Sequence, residues 1–291
     1  MYAIKTEKLS KYYNRSRGIE SVTLSIEEGD FFGFIGPNGS GKSTTVRTLL
    51  GLIKKTSGEA SVLGLDIERD KNEILKNVGY MPSEAVFYSG MRVSETIELS
   101  ARLRGAKCSE EAKKLCDRLE LDTKKKVDEL SLGNRKKVSI VCALQHSPRL
   151  YILDEPTSGL DPLMQREFFS ILEERNRQGA TVFLSSHILS EVARYAKNAA
   201  IIREGEILVQ DSVANLGHTG VKEVTLRGIT PDFSLESARD VRIDGDVVKF
   251  LFSGTPRELM TALQPLSFYD MTVEDPDLED VFMHYYTRED R

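Results

Sequence analysis

Gly36-Pro37-Asn38-Gly39-Ser40-Gly41-Lys42-Ser43, followed by Thr44, decides how the rest of the chain is read. Glycine at Gly36 and Gly41, followed by Lys42 and Ser43, is the spacing of a phosphate-binding loop. Glycines let the backbone turn its N–H groups inward around phosphate oxygens. A helix start and Lys42 add positive potential, and the Ser43 hydroxyl is a ligand for magnesium. A glycine-rich turn that binds nothing would serve the same letters, so the flanks matter. Before the loop, Phe31-Phe-Gly-Phe-Ile35 is apolar almost without interruption, as in a strand buried on both faces. After it, Val46, Leu49, Leu50 and Ile53 recur at helical spacing. Strand, loop and helix therefore follow in the order that phosphate binding requires.

Two further stretches carry groups that such a loop would use. Leu150-Tyr-Ile-Leu-Asp154-Glu155 ends an apolar strand in two carboxylates. Asp154 is placed for the magnesium shell, and Glu155 for orienting or deprotonating an attacking water. Alone, such an acidic pair is most simply a solvated turn; beside the loop it becomes a catalytic candidate. His187 follows the apolar strand 180–185 and is a candidate donor to a terminal phosphate. Parallel strands would deliver it to the same sheet edge as Gly36 and Asp154.

Periodicity divides the chain. Val22–Ile26 alternates with period two, and residues 84–145 read as helical, with Ser109 as N-cap of the helix carrying Ala112, Leu115, Cys116 and Leu119. Strands and helices then alternate through 199–203. Beyond Leu216 come short strands at 221–226, 241–243 and 247–252, a turn at Asp244-Gly245, a helix at 256–263 and a last helix at 276–286. The expected fold is α/β. A P-loop core occupies residues 1–216, with a helical insert at about 84–145, and a small C-terminal α+β domain occupies 217–291.

Composition excludes other classes. In 291 residues, 40 Lys+Arg against 45 Asp+Glu give a net charge of −5, which offers no general basic footprint for nucleic acid. Three cysteines cannot all pair, and Cys108, Cys116 and Cys142 lack metal-type spacing. Cys116 reads as a core thiol, and the compartment as reducing. Met1-Tyr-Ala-Ile-Lys-Thr-Glu is charged where the apolar core of a secretory leader would begin. No stretch approaches the roughly 18 apolar residues of a membrane span.

Taken together, the motifs resemble the ATP-binding subunit of an ATP-binding cassette (ABC) transporter over about residues 1–216. Tyr13, in Leu-Ser-Lys-Tyr-Tyr-Asn, matches the aromatic that stacks on adenine. Gly36–Ser43 is the P-loop, and Leu130-Ser-Leu-Gly-Asn-Arg-Lys-Lys resembles the Leu-Ser-Gly-Gly-Gln signature. Asp154 and Glu155 end the magnesium strand, Ser158-Gly-Leu-Asp161 matches the loop between paired subunits, and His187 the switch histidine. The resemblance implies two cassettes packed head to tail, with ATP and Mg2+ held between the P-loop of one and Ser131, Gly133 and Asn134 of the other. It also implies a transmembrane permease partner, a homo- or heterodimeric arrangement of ATP-binding subunits, and a place on the cytoplasmic face of the cell membrane.

Two departures stand out. Leu132 and Asn134 replace the glycine and glutamine of the signature. In Gly79-Tyr-Met-Pro-Ser-Glu84, Ser83 stands where the family has glutamine, which leaves Glu84 as a candidate oxygen donor toward the metal or the water. These variants and the ending Asp275-Pro-Asp-Leu-Glu-Asp-Val-Phe resemble stand-alone ATPases of bacterial exporters for drugs, antibiotics and antimicrobial peptides. In the ending, Leu278, Val281, Phe282 and Tyr285 fit a core stripe as well as a docking face. The rival readings are a soluble ABC ATPase acting on ribosomes or DNA, which would carry tandem cassettes or long insertions, and a non-hydrolysing subunit. Intact Lys42, Asp154, Glu155 and His187 weigh against the latter.

Overall fold

The computed structural model describes residues 1–14, 16–217, 221–229, 235 and 237–274. Contacts divide the chain into two units, Met1–Asp211 and Ser212–Arg291.

The first unit begins with strands β1 (Tyr2–Tyr13), β2 (Ser16–Glu27) and β3 (Phe31–Ile35), then helix α1 (Lys42–Leu49). Next come β4 (Ser57–Val62), β5 (Leu65–Asp66), α2 (Lys71–Asn77) and β6 (Val78–Met81). Three helices follow with no strand between them: α3 (Val93–Leu103), α4 (Ser109–Arg118) and α5 (Leu132–Leu144). The chain returns through β7 (Leu150–Asp154), α6 (Pro162–Arg177), β8 (Thr181–Ser186), α7 (Leu189–Tyr195), β9 (Asn198–Arg203) and β10 (Glu206–Ser212).

A six-stranded sheet runs β10-β9-β3-β8-β7-β6. Every pairing from β9 through β3, β8 and β7 to β6 is parallel, so the C-terminal ends of β3, β8 and β7 lie side by side on one edge. All residues of β3, β7 and β8 are buried, which is why they read as unbroken apolar runs rather than alternating ones. On one face, α1 contacts β7 and also β2 and β4 of a second sheet, ordered β2-β1-β4-β5. Leu24, Ile26, Phe32, Phe34, Val46, Leu49, Ile152 and Phe183 form one core there. Phe183 stacks on Phe32 with ring centroids 6.0 Å apart. Truncating a buried phenylalanine of this kind costs about 3–5 kcal/mol, so the base of the phosphate loop is stiff. On the other face α7 lies close to β3. A Cβ at Gly33 would stand 2.2 Å from Val192 Cγ1.

The antiparallel sheet was absent from the sequence reading except for Val22–Ile26. Its long strand β1 hides because register shifts between Thr6 and Leu9 and between Leu9 and Lys11 break the period-two pattern. The insert is also shorter in helix than expected: residues 84–92 contain none. Helix α4 starts at Ser109 with Cys108 as its N-cap, not Ser109, and no side chain caps it. Glu110 and Glu111 in its first turn complement the helix dipole instead. Helix α4 is tied to α6 by charge. Arg118 reaches Glu167 Oε1 at 2.5 Å and both carboxylate oxygens of Glu174 at 2.7 and 2.9 Å, and Arg175 pairs with Glu111. Cys116 is buried, and burial pushes its thiol up to about 11, as a core thiol requires.

In the second unit, the short helix α8 (Val213–Gly217) leads to β11 (Val221–Arg227), β12 (Ala238–Asp244), β13 (Val247–Ser253), α9 (Pro256–Leu263) and β14 (Asp270–Glu274). The sheet order is β12-β13-β11-β14, with antiparallel pairing throughout. Asp244 pairs with Val247 across the turn anticipated at Asp244-Gly245. Val224, Leu226, Val248, Phe250, Leu259 and Leu263 form its core. Helix α9 opens with a capping box: Thr255 Oγ1 accepts from Glu258 N, and Glu258 Oε2 accepts from Thr255 N at 2.7 Å. The helix expected at 276–286 and the ending motif lie outside the described residues.

Candidate active site

The loop between β3 and α1 is shaped by what its glycines must avoid. A Cβ on Gly36 would fall 2.4 Å from Ser40 Oγ and 2.5 Å from Ile202 O. Gly41 has φ +108, a conformation that L side chains rarely adopt, and it is the N-cap of α1. No side chain caps that helix and no acid lies in its first turn, so its N–H groups keep their positive field for a ligand. Lys42 is 4% exposed and folds back over the loop, where Nζ donates to Gly36 O at 2.7 Å and to Pro37 O at 3.0 Å. Tyr13, Arg17, Gly18, Asn38, Gly39, Gly41, Lys42, Ser43, Thr44 and Glu155 line a cleft of about 240 Å³. A larger cavity of about 730 Å³ lies among α3, α4 and neighbouring residues of the insert and includes none of the loop. Volume alone does not mark the chemistry here.

The ends of β7 and β8 complete the cleft. Asp154 is fully buried; Ser185 Oγ donates to its Oδ1 at 2.9 Å, and among the described residues its Oδ2 has no hydrogen-bond partner. Burying a carboxylate oxygen without a partner is costly, and a cation beside it removes the cost. With the Ser43 hydroxyl on the neighbouring loop, the donor set is all oxygen, which suits magnesium. Glu155 turns away from the strand at φ +47, while its N–H still donates to Ser185 O at 2.9 Å. That turn places Oε1 3.4 Å from Lys42 Nζ and 3.3 Å from His187 Nδ1. A carboxylate, an ammonium and an imidazole thus meet at the mouth of the phosphate loop.

Tyr13, 44% exposed, ends β1 with Lys11 Nζ 5.1 Å from its ring centroid. A Cβ at Gly18 would meet Tyr13 Cε2 at 2.9 Å, so the glycine gives the ring its place beside Thr44. Ser131, Gly133 and Asn134 are not among the residues lining this cleft. Ser131 is instead the N-cap of α5, with Oγ accepting from Asn134 N at 3.4 Å. Gly133 lies against the 158–161 loop, where a Cβ would stand 2.8 Å from Gly159 O. Asp161 in that loop caps α6 by accepting from Leu163 N and Met164 N, each at 3.0 Å. Glu84 is exposed and makes no hydrogen bond or ion pair among the described residues. Three further residues were not among the candidates read from the sequence: Ser185, which ends the apolar strand 180–185, Arg17 and Lys136. Arg17 sits at the cleft rim, paired with Glu20, Glu204 and Glu206.

The sequence profile of the ABC transporter family matches residues 19–158. The bacitracin transport ATP-binding protein BcrA of Bacillus licheniformis is 39% identical over 211 residues, covering 70% of this chain and 68% of the relative. The linearmycin resistance ATP-binding protein LnrL of Bacillus subtilis is 28% identical over 302 residues, covering 97% of both. Among solved structures, the ATP-binding subunit of an ABC transporter superposes with a TM-score of 0.69 at 29% identity, covering 74% of this chain and 91% of the other. A dimeric ATP-binding cassette in a post-hydrolysis state bound to ADP and Pi gives 0.66 at 26% identity, covering 72% and 98%.

The fold and the site define a P-loop ATPase of the cassette type. The chain belongs to the ABC transporter family, as an ATP-binding and ATP-hydrolysing subunit. The reading as a ribosome- or DNA-acting ATPase finds no support among these relatives. Among the described residues no helix is long and apolar enough to cross a membrane.

Proposed function

We propose that this chain powers a membrane exporter for antibiotic-like compounds, docked on the cytoplasmic face of the membrane through a transmembrane permease. The names of its bacitracin and linearmycin relatives support the substrate class, and the lack of a spanning helix among the described residues supports a permease partner. In this reading Tyr13 stacks on adenine, and the backbone from Gly36 to Thr44 surrounds the phosphates. Ser43 and Asp154 would hold magnesium, which would supply positive charge against the phosphates. Phosphate draws Lys42 Nζ from the Gly36 and Pro37 carbonyls and from Glu155. The released carboxylate orients the water and takes its proton as the water oxygen attacks the terminal phosphorus and ADP leaves. His187 donates to the terminal phosphate. Ser131, Gly133 and Asn134, outside their own cleft, complete the site of the partner subunit.

The observation that carries this reading is Glu155 Oε1 set between Lys42 Nζ and His187 Nδ1. Glu155→Gln tests it, because the amide keeps the shape and loses the base. Turnover should fall by at least about a thousandfold while ATP still binds. Since ATP favours the closed pair by mass action, the variant should become dimeric in ATP but not in ADP, as read by light scattering. Adding Ser131→Arg should return it to monomer. Wild-type turnover by Glu155→Gln removes the glutamate from catalysis, and dimers that survive Ser131→Arg remove the trans site.

A further inference from the structure

Two lysines are buried among the described residues, and the functional reading uses only Lys42. The other, Lys136, is 2% exposed in the second turn of α5. A buried ammonium loses several kcal/mol of hydration unless its surroundings replace it. Here Nζ donates to Ser83 O at 2.6 Å, and among the described residues no carboxylate pairs with it directly. Burial pushes its pKa below the ordinary lysine value, while Asp154, Glu155 and Glu84 act on it at longer range in the opposite direction. The charge therefore joins two segments, the Ser83-Glu84 stretch after β6 and the helix whose N-cap is Ser131, and it acts at longer range on Asp154 and Glu155 at the end of β7. Helix α5 is itself pressed onto β6, since a Cβ at Gly79 would stand 2.3 Å from Ala143 O.

We infer that Lys136 is a positioning residue for hydrolysis, tying the Ser83 backbone to helix α5 and setting a fixed positive charge that acts at longer range on the Asp154–Glu155 carboxylates. The inference rests on the ATPase reading above and adds a part to it. Ser83 lacks the reach of a glutamine, so its segment has to be held through the backbone, and Lys136 grips that backbone. Because the same lysine is rooted five residues beyond Ser131, a phosphate arriving at the start of α5 and the loop at Ser83-Glu84 are connected through one rigid helix. Losing the lysine leaves the P-loop contacts with ATP untouched. It lets the Ser83 carbonyl drift and removes a cation that steadies the paired carboxylates. Binding and turnover should therefore separate.

The test compares wild type, Lys136→Met and Lys136→Arg in steady-state ATP hydrolysis at saturating Mg2+ and in equilibrium titration with a fluorescent ATP analogue. Lys136→Met should lower kcat by at least about tenfold with the analogue Kd within about threefold of wild type. Lys136→Arg keeps the charge and a donor, and should hold kcat within about threefold of wild type. A smaller loss in Lys136→Met, an equal loss of analogue affinity, or an arginine variant as slow as the methionine one overturns the inference. If Lys136→Met does not fold, Lys136→Gln replaces it with the same expectations; if neither folds, the lysine is structural and the inference falls. An inactive wild type would instead count against the ATPase reading.

Discussion

Lys42→Ala separates binding from stability, and the structure sets both magnitudes. In the unliganded cleft, Lys42 Nζ donates to Gly36 O and Pro37 O, with Glu155 at 3.4 Å. Hydrogen bonds to a charged group contribute about 1.5–3 kcal/mol each, so the pair is worth about 3–6 kcal/mol. Against this stands the desolvation of an ammonium that is 4% exposed, also several kcal/mol. The two nearly cancel. The cleft opens to solvent, so water replaces the lost donor at both carbonyls. Without nucleotide the variant should therefore unfold within about 1 kcal/mol of wild type, about 2–4 °C for a unit of this size. Binding has no such cancellation: losing one partner of a charge-assisted contact to phosphate costs about 2–5 kcal/mol, or roughly 30- to 5000-fold in Kd. With ATP and Mg2+ at about 100 times Kd, wild type gains about 2.7 kcal/mol, hence about 5–10 °C in midpoint. The variant at the same concentration should gain about 3 °C or less. Differential scanning fluorimetry with and without ATP reads both numbers, and calorimetric titration gives the Kd. A folded variant with unchanged affinity, or a nucleotide-free midpoint lowered by more than about 10 °C, would refute the reasoning.

Two further outcomes follow from the architecture. Expressed alone, the chain should stay in the supernatant after ultracentrifugation, and it should sediment with membranes when its permease is co-expressed; permease-independent recovery with ribosomes counts against the transport reading. His146, whose Nε2 faces Val78 O at 3.4 Å, is pushed down from 6.5 to about 4, by burial first and by Arg104 second. Between those values the unfolded chain binds a proton that the folded chain refuses, so stability falls as pH drops through that window. Denaturant midpoints of His146→Gln should fall less from pH 7 to about pH 5 than those of wild type; equal losses rule out the histidine as the source.

The candidate cluster was legible because its chemistry is local. Gly36 to Ser43 encode a loop, and apolar strands ending in Asp154 and just before His187 bring those groups to one edge once the sheet is parallel. What stayed hidden depends on partners far away in sequence. Ser185 matters only because β8 pairs with β7, which puts its hydroxyl on Asp154. Lys136 sits between Arg135 and Lys137, and only the folding of α5 onto β6 distinguishes it from them. The long strand β1 was missed because its bulges cancel the alternation by which strands are recognised. Ser131 reads as an ordinary helix cap in the sequence and acts as one in the structure, so its proposed second role belongs to an assembly of two chains.

Arg118 spans Glu167 and Glu174, acceptors about two helical turns apart on α6, and Arg175 returns the grip to Glu111. The insert is thereby pinned to the core at a joint whose strength the surrounding electrolyte controls. The side chains of Arg118, Glu167 and Glu174 are 32%, 32% and 42% exposed, within reach of dissolved ions. At an ionic strength of about 0.15 M, charges are screened over about 8 Å, against about 30 Å at 0.01 M. Half-exposed pairs of this kind weaken as salt rises, so how firmly the insert is clasped to α6 is partly a property of the solution around it.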